Sequence, residues 1–323
     1  MCSLIFTLCS NNYLAQAYTL AQSVKNINPE IHFVIGLVDL SNPKVDYQKH
    51  SSIEVIPCFD LDFPEFEGML ARYNVIEFNT AVKPFYFEFL FGRDSDLDRI
   101  YYVDPDIFFY KGFDQLDQIL ETNKIVLTPM ITDPGKDSQF DELVSLRHGM
   151  FNLGFIGLKR SEESFRFISW WKQRLEKYCL IDKPRGIFVD QKWIDLAPLF
   201  FEGIYVLKHK GYNMAWWNFN DRKLFEQNGD YYVNSEKYPL VFFHFSGFKP
   251  RSNSITGRSG ESRFGYAALP ELRILGQKYE AELLKNGYNF LSTIQPSLKF
   301  FTPKTTFKST LKRNLKRVLR FVS

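Results

Sequence analysis

Asp104 and Asp106 are the residues of this 323-residue chain best placed to do chemistry. They stand two apart in Ile100-Tyr-Tyr-Val-Asp-Pro-Asp-Ile-Phe-Phe-Tyr110, where aromatic and β-branched residues read as a buried strand. Residues two apart on a strand point the same way, so the carboxylates converge while extended geometry lasts. Pro105 restricts the backbone between them. Two such carboxylates repel each other unless a cation sits between them. Hard oxygen ligands with open positions suit Mg²⁺ or Mn²⁺ carrying a substrate diphosphate. Asp-Pro-Asp is also good turn chemistry, so other residues must decide. His244 lies in Phe242-Phe-His-Phe-Ser-Gly-Phe-Lys-Pro250. A lone histidine after a strand is commonly a hydrogen-bonded core residue. Beside two aspartates it becomes a third ligand, because neutral imidazole suits Mn²⁺. Gly247 permits close backbone approach to a phosphate, and Lys249 offers a point charge for one.

The elements that must carry these residues alternate in type. Residues 4–8, 32–40, 53–57 and 99–103 read as strands. Asn11 or Asn12 can cap a helix that carries Leu14, Tyr18, Ala21 and Val24 and stops at Asn28-Pro29. Residues 65–73 and 80–91 read as helices, with Pro84 in the first turn of the second. Such alternation implies an α/β fold with a mainly parallel central sheet and helices on both faces. Ligands in these folds bind beyond the carboxyl ends of the strands, where residues 9–12, Asp39 and the two aspartates fall. The second half is less regular. Residues 151–158 read as a strand. Ser161 caps a helix running to about Cys179, with Phe165, Ile168, Trp171 and Leu175 on one face. Residues 190–196 and 268–284 read as helices, and 241–245 as a strand ending near His244.

Composition excludes several classes. A chain this long buries a large core. Net charge is only +3, so the body is not an obvious polyanion binder. Aromatics are abundant, with 33 Phe and 17 Tyr; they fill cores but also stack on sugars and bases. The four cysteines are scattered without metal-ligand spacing and read as reduced thiols in a cytoplasmic protein. The start has no basic region ahead of its short apolar run, and reads as a strand rather than a signal peptide. No stretch approaches the ~20 apolar residues that span a bilayer. There is no Gly-x-Gly-x-x-Gly after the first strand and no phosphate loop with Gly-Lys-Ser/Thr, which counts against dehydrogenases and P-loop enzymes.

Together these segments resemble the nucleotide-sugar glycosyltransferases of GT-A fold, and among them the retaining family 8, which includes glycogenin and lipopolysaccharide galactosyl- and glucosyltransferases. The similarity runs from residue 3 to about residue 250. The family's Asp-x-Asp matches Asp104 and Asp106. Its Thr/Ser-Ala helix start with a basic residue matches Thr80-Ala81-Val82-Lys83. Phe-Asn-x-Gly matches Phe151-Asn152-Leu153-Gly154, and Asp-Gln matches Asp190-Gln191. The late His-aromatic-x-Gly with Lys-Pro matches His244 to Gly247 and Lys249-Pro250, one residue shorter before the lysine than usual. The Asp-Pro-Asp-Ile-Phe-Phe form and the Trp216-Trp217 pair suggest a divergent bacterial branch.

The resemblance implies a metal-dependent hexosyltransferase, with UDP-sugars the favoured donors. Asp104, Asp106 and His244 are then expected to hold Mn²⁺ or Mg²⁺, with Lys83 and Lys249 as cationic support for the diphosphate. Asn152, Asp190 and Gln191 are expected at the sugar, with Gly154 and Gly247 in the donor site. Thr7, Leu8, Asn12 and Asp39 are expected at the nucleoside. Each has a plainer reading: Lys83 as a solvated helix residue, Asn152 as a turn former, Asp190 as a helix cap. Trp216, Trp217, Phe264 and Tyr266 suit either an acceptor platform or the core. Two rivals remain: a sugar-nucleotide pyrophosphorylase, which needs a Gly-rich basic loop that Cys9-Ser-Asn-Asn-Tyr13 does not supply, and a non-catalytic carbohydrate-binding protein on the same fold.

The composition changes from Pro296 onward, with eight Lys or Arg and no Asp or Glu. The expected organisation is a catalytic domain over residues 1–290 and a basic tail over 291–323. Leu311, Leu315, Val318, Leu319 and Val322 share a helical face, with Lys312, Arg313, Lys316, Arg317 and Arg320 mostly off it. That pattern suits an interfacial helix on an anionic membrane or a helix docked on the protein. The expected place is the inner face of the cytoplasmic membrane, with a glycan or glycolipid acceptor. Nucleic acid is not an expected partner, because the basic residues are confined to the tail.

Overall fold

The computed structural model describes residues 2–134, 138–256, 265–267 and 269–301. The amino-terminal half runs β1 (Cys2–Cys9), α1 (Leu14–Ile27), β2 (His32–Leu37), β3 (Ile53–Pro57), α2 (Phe66–Arg72), α3 (Val75–Ala81), α4 (Lys83–Arg93), β4 (Leu97–Val103), β5 (Ile107–Phe109), α5 (Asp114–Thr122) and β6 (Ile125–Pro129). Next come α6 (Ser138–His148), β7 (Phe151–Lys159), α7 (Glu162–Tyr178), β8 (Ile181–Asp182), β9 (Ile187–Phe188), α8 (Gln191–Ile194), α9 (Ala197–Phe200) and β10 (Ile204–Val206). The chain then forms β11 (Leu224–Gln227), β12 (Asp230–Val233), β13 (Ser235–Pro239), β14 (Phe242–His244), α10 (Glu271–Lys285) and α11 (Tyr288–Leu291).

Seven strands make the central sheet in the order β10-β6-β7-β4-β1-β2-β3. All neighbours are parallel except β7, which runs antiparallel to both β4 and β6. Strand alternation divides the core into two layers. Leu4, Phe6 and Leu8 of β1 face a cluster with Phe87 of α4 and Trp171 of α7. Ile5 and Cys9 face the other side, against Leu20 of α1, Tyr101 and Phe155. Because both faces are covered, the central strands read as nearly unbroken apolar runs. A third cluster joins β12, β14 and α10 through Val233, Phe243 and Tyr279.

Several local expectations are corrected. Neither Asn11 nor Asn12 caps α1; a 3₁₀ turn over Asn11–Tyr13 intervenes and the cap position is Tyr13. The expected helix over 80–91 is two helices. α3 starts earlier, on a capping box in which Asn74 and Glu77 satisfy each other's backbone N–H groups. α4 starts afresh at Lys83, with Pro84 in its first turn, where a missing N–H costs nothing. Ser161 does cap α7, accepting from Ser164 N, but Phe165 is exposed and Phe167 takes its place in the core. β2 ends at Leu37, so Asp39 lies just past the strand. The β11–β13 meander lacks a clear signal, because β13 is mostly exposed. All four cysteines are unpaired thiols. Residues 291–301 pack on the domain, Phe301 N donating to Tyr73 O at 3.0 Å. The expected amphipathic helix at 310–323 and Phe264 lie outside the described residues. Among the described residues no helix is long and apolar enough to cross a membrane.

Candidate active site

Two strand pairings assemble the site. β5 pairs antiparallel with β14, placing His244 opposite Ile107, and Phe245 N donates to Asp106 O at 2.8 Å. β4 pairs with β7, and Asp104 N donates to Gly154 O at 2.8 Å. The central strand thus ends between a ribbon that carries the histidine and a neighbour that carries the glycine. Gly154 is required sterically: a Cβ there would lie 2.6 Å from Cε1 of His244 and 2.8 Å from Oδ1 of Asn152.

His244 Nε2 lies 3.0 Å from Asp106 Oδ1 and 3.7 Å from Asp104 Oδ2. One ligand atom from each of the three residues falls within 4.8 Å of the others. Hydrogen-bond polarity identifies which face of the imidazole is available. The backbone N–H of Gly154 can only donate, so the Asn152 atom it meets at 3.2 Å is the carbonyl oxygen. That oxygen in turn accepts from Asn213 Nδ2 at 3.0 Å. Asn213 therefore presents its own oxygen to His244 Nδ1 at 3.3 Å, and Nδ1 carries a proton. In the neutral ring the lone pair on Nε2 then faces two carboxylates, which is repulsive unless a proton or a cation stands between. Burial disfavours the charged imidazole, but Asp106 and Asp104 outweigh it and hold the His244 pKa above its ordinary value. Two carboxylates and one oriented imidazole fit Mn²⁺ or Mg²⁺.

Behind the aspartates lies a buried lysine. Lys83 Nζ donates to Asp190 Oδ2 and to the Leu153 carbonyl, each at 2.9 Å, and stands 3.9 Å from Asp104 Oδ1. It also lies 4.4 Å from the ring centroid of Tyr102, whose hydroxyl donates to Asp104. Burial opposes the Lys83 charge, yet Asp190 and Asp104 raise its pKa above that of an ordinary lysine. Burial pushes the Asp190 carboxyl up to about 6, with Lys83 pulling it back down. Asp190 makes no side-chain cap bond to α8, which sets its helix-cap reading aside. Gln191 is held at both ends of its amide: Oε1 accepts from Asn152 Nδ2 at 3.2 Å and Leu153 N at 3.3 Å, and Nε2 donates to His148 O at 3.0 Å.

A cleft of about 330 Å³ opens from Asp104 and Asp106, past Gly247, to Leu8, Asn12 and the start of α3. Leu8, Asn12, Asp104, Asp106 and Gly247 line it. His244, Asn152, Gly154, Lys83, Asp190 and Gln191 form the network behind its Asp104–Asp106 end. Thr7 is fully buried, its hydroxyl unpartnered among the described residues, and is not in the lining. Asp39 is also fully buried, its carboxylate taken up by backbone N–H groups and Asn11. Lys249 is exposed beyond the cleft wall. Trp217 is nearly buried, its ring edge-on to His244 at 5.0 Å, so it walls the histidine in. Asn213 escaped sequence reasoning. Its signal is an Asn within Gly211-Tyr-Asn-Met-Ala215, and its φ of 55° is one that Asn tolerates better than most residues.

No protein-family model matches the chain. Two proteins of Bacillus subtilis strain 168, both described as uncharacterized, are similar in sequence. YfnD is 24% identical over 245 residues, covering 75% of this chain and 76% of its own. YfnF is 24% identical over 307 residues, covering 94% and 99%. Among solved structures, the bifunctional glycosyltransferase WbbM superposes with a TM-score of 0.51 at 13% identity, over 88% of this chain and 51% of that one. The galactosyltransferase LgtC, solved with donor and acceptor sugar analogs, gives 0.48 at 16% identity, over 86% and 99%. With its seven-stranded mixed sheet and flanking helices, the chain has the GT-A fold of the glycosyltransferases.

Proposed function

We propose that this protein is a metal-dependent glycosyltransferase that moves a hexose from a nucleotide-diphosphate sugar to a glycan or lipid-linked acceptor. The observation that carries the reading is the convergence of Asp104, Asp106 and His244 at one end of a cleft large enough for a nucleotide. Asp104, Asp106 and His244 would hold Mn²⁺ or Mg²⁺, which would supply Lewis-acid neutralisation of charge on the departing diphosphate. The chain's own part is positioning. Tyr102 and Lys83 hold Asp104 from behind, and Lys83 holds Asp190. The chain of amides from Asn213 through Asn152 to Gln191 fixes the polar groups beside the metal end before substrate arrives, which is how preorganised electrostatics lowers a barrier. Asn152, Asp190 and Gln191 are assigned to the transferred sugar, and retention of anomeric configuration follows the motif resemblance.

UDP is the favoured carrier. The acceptor is assigned to surface polysaccharide or lipopolysaccharide synthesis, with the basic tail on the inner face of the cytoplasmic membrane. The test is a thermal-shift series with UDP, GDP, CDP and their sugars, each with Mn²⁺ and with EDTA. A ligand bound only by the native state raises the melting temperature. A shift with one nucleotide that disappears in EDTA supports the reading, and no shift with any nucleotide overturns it. For the membrane assignment, removing residues 302–323 should release the protein from anionic vesicles.

A further inference from the structure

The carboxyl-terminal segment 296–301 does more than cover the core. Pro296 lines the same cleft as Asp104 and Asp106. The metal carboxylates define where a diphosphate goes, so a nucleoside must extend toward the other end of the cleft. Pro296 marks that end: its neighbour Ser297 bonds Asp39 just past β2, and β2 lies two strands from β4, whose end carries Asp104. Leu8, Val75 and Ile76 line the same cleft as Pro296. Ile76 is 61% exposed and Tyr13 43%, so two large apolar faces stand uncovered around the opening.

The segment is fastened on both sides of this end. At one side Asp39 Oδ1 accepts from Ser297 N at 2.8 Å and Leu298 N at 3.3 Å. At the other, Phe301 N donates to Tyr73 O at 3.0 Å and the Phe300 ring packs on Phe78 of α3 at 5.8 Å. Asp39 is itself held by Asn11 Nδ2 at 2.8 Å and is fully buried. Its oxygens face protein donors rather than the cleft.

We infer that Pro296 forms a wall of the nucleoside subsite, packing against the base of a bound nucleoside diphosphate, while Ser297 and Leu298 anchor it. Asp39 is the positioning residue that holds the wall in place. This rests on the nucleotide-sugar reading above and adds where the base is gripped. It also makes Asp39 a contributor to nucleoside binding without contact.

The experiment is calorimetric titration of the full chain with UDP, GDP and CDP, and separately with pyrophosphate, all with Mn²⁺ present. Wild type is compared with Pro296→Gly and Asp39→Ala. Loss of one apolar wall should weaken the nucleotide that wild type binds best by about five- to tenfold. Pyrophosphate, which lacks the base, should bind all three proteins alike. Unchanged nucleotide affinity in Pro296→Gly would sink the inference, as would equal loss of nucleotide and pyrophosphate. Pro296 is partly exposed, so its variant keeps the test valid should Asp39→Ala fail to fold. If wild type binds pyrophosphate but no nucleoside diphosphate, the nucleotide-sugar reading itself falls and this wall with it.

Discussion

Lys83 and Asp190 form a 2.9 Å ion pair in which both side chains are almost wholly buried. Such a pair is held against the cost of desolvating two charges, and the single removal of either partner leaves the other stranded. Lys83→Met should therefore destabilise the fold by about 3–5 kcal/mol, read from urea unfolding. A loss below about 1 kcal/mol would mean that water reaches the pair.

The same pair sets a pH dependence. The Asp190 carboxyl lies at about 6 in the folded chain, against its usual 3.8. Between those values the folded state holds a proton that the unfolded chain has lost. The contribution of Asp190 to stability is therefore greatest in acid, falls as pH rises through that window, and is level above it. Activity should run the other way, rising with pH to a plateau above about 6. Asp190→Asn should remove the Asp190 share of the fall, leaving that of Glu176, which burial also raises. An identical pH–stability curve in that variant would refute the assignment.

Metal binding should depend on both aspartates. Asp106→Asn removes one carboxylate charge at the atom nearest His244 Nε2, 3.0 Å away. Mn²⁺ affinity, followed by electron paramagnetic resonance of the free ion, should fall by at least about tenfold. Unchanged affinity would place the ion elsewhere.

Asn213 makes no contact with the metal position, yet it should matter to it. Its oxygen holds the proton of His244 on Nδ1 and leaves Nε2 to bind. Asn213→Leu should weaken Mn²⁺ by about 10- to 100-fold, in line with other outer partners of metal-bound histidines. Asn213→Asp, which keeps an acceptor at that position, should recover part of the loss.

Gly154→Ala should harm the site more than the fold. The new methyl carbon would sit 2.6 Å from Cε1 of His244, so the ring must move. A stability loss of about 1–3 kcal/mol is expected, together with reduced Mn²⁺ binding. Retained binding with full stability would show that the ring has room.

The alternation of apolar runs with helical spacing made the parallel sheet legible, because a strand buried on both faces has no other reading at that length. Asp104, Asp106 and His244 were legible for a different reason: charged or titratable groups at the ends of apolar strands are costly without a task. What hid were the relations across the chain. Lys83 looks like any helix lysine until α4 is packed against β7, where it meets the Leu153 carbonyl and Asp190. Asp39 looks like a ligand contact until a segment more than 250 residues later supplies its donors. Phe165 and Phe167 are equally apolar, and only the packing of α7 on its neighbours decides which one is buried.

The pairing of β5 with β14 sets an order on biosynthesis. Asp104 and Asp106 leave the ribosome well before their imidazole partner, which follows Asp104 by 140 residues. A nascent chain stalled before residue 242 can form much of the parallel sheet, yet it lacks the third ligand and the β14 edge that β5 requires. Assembly of the Asp104–Asp106–His244 cluster is therefore a late event of folding, dominated by a contact of high sequence separation. It would report that β14 has docked on β5, a property the amino-terminal strands cannot signal by themselves.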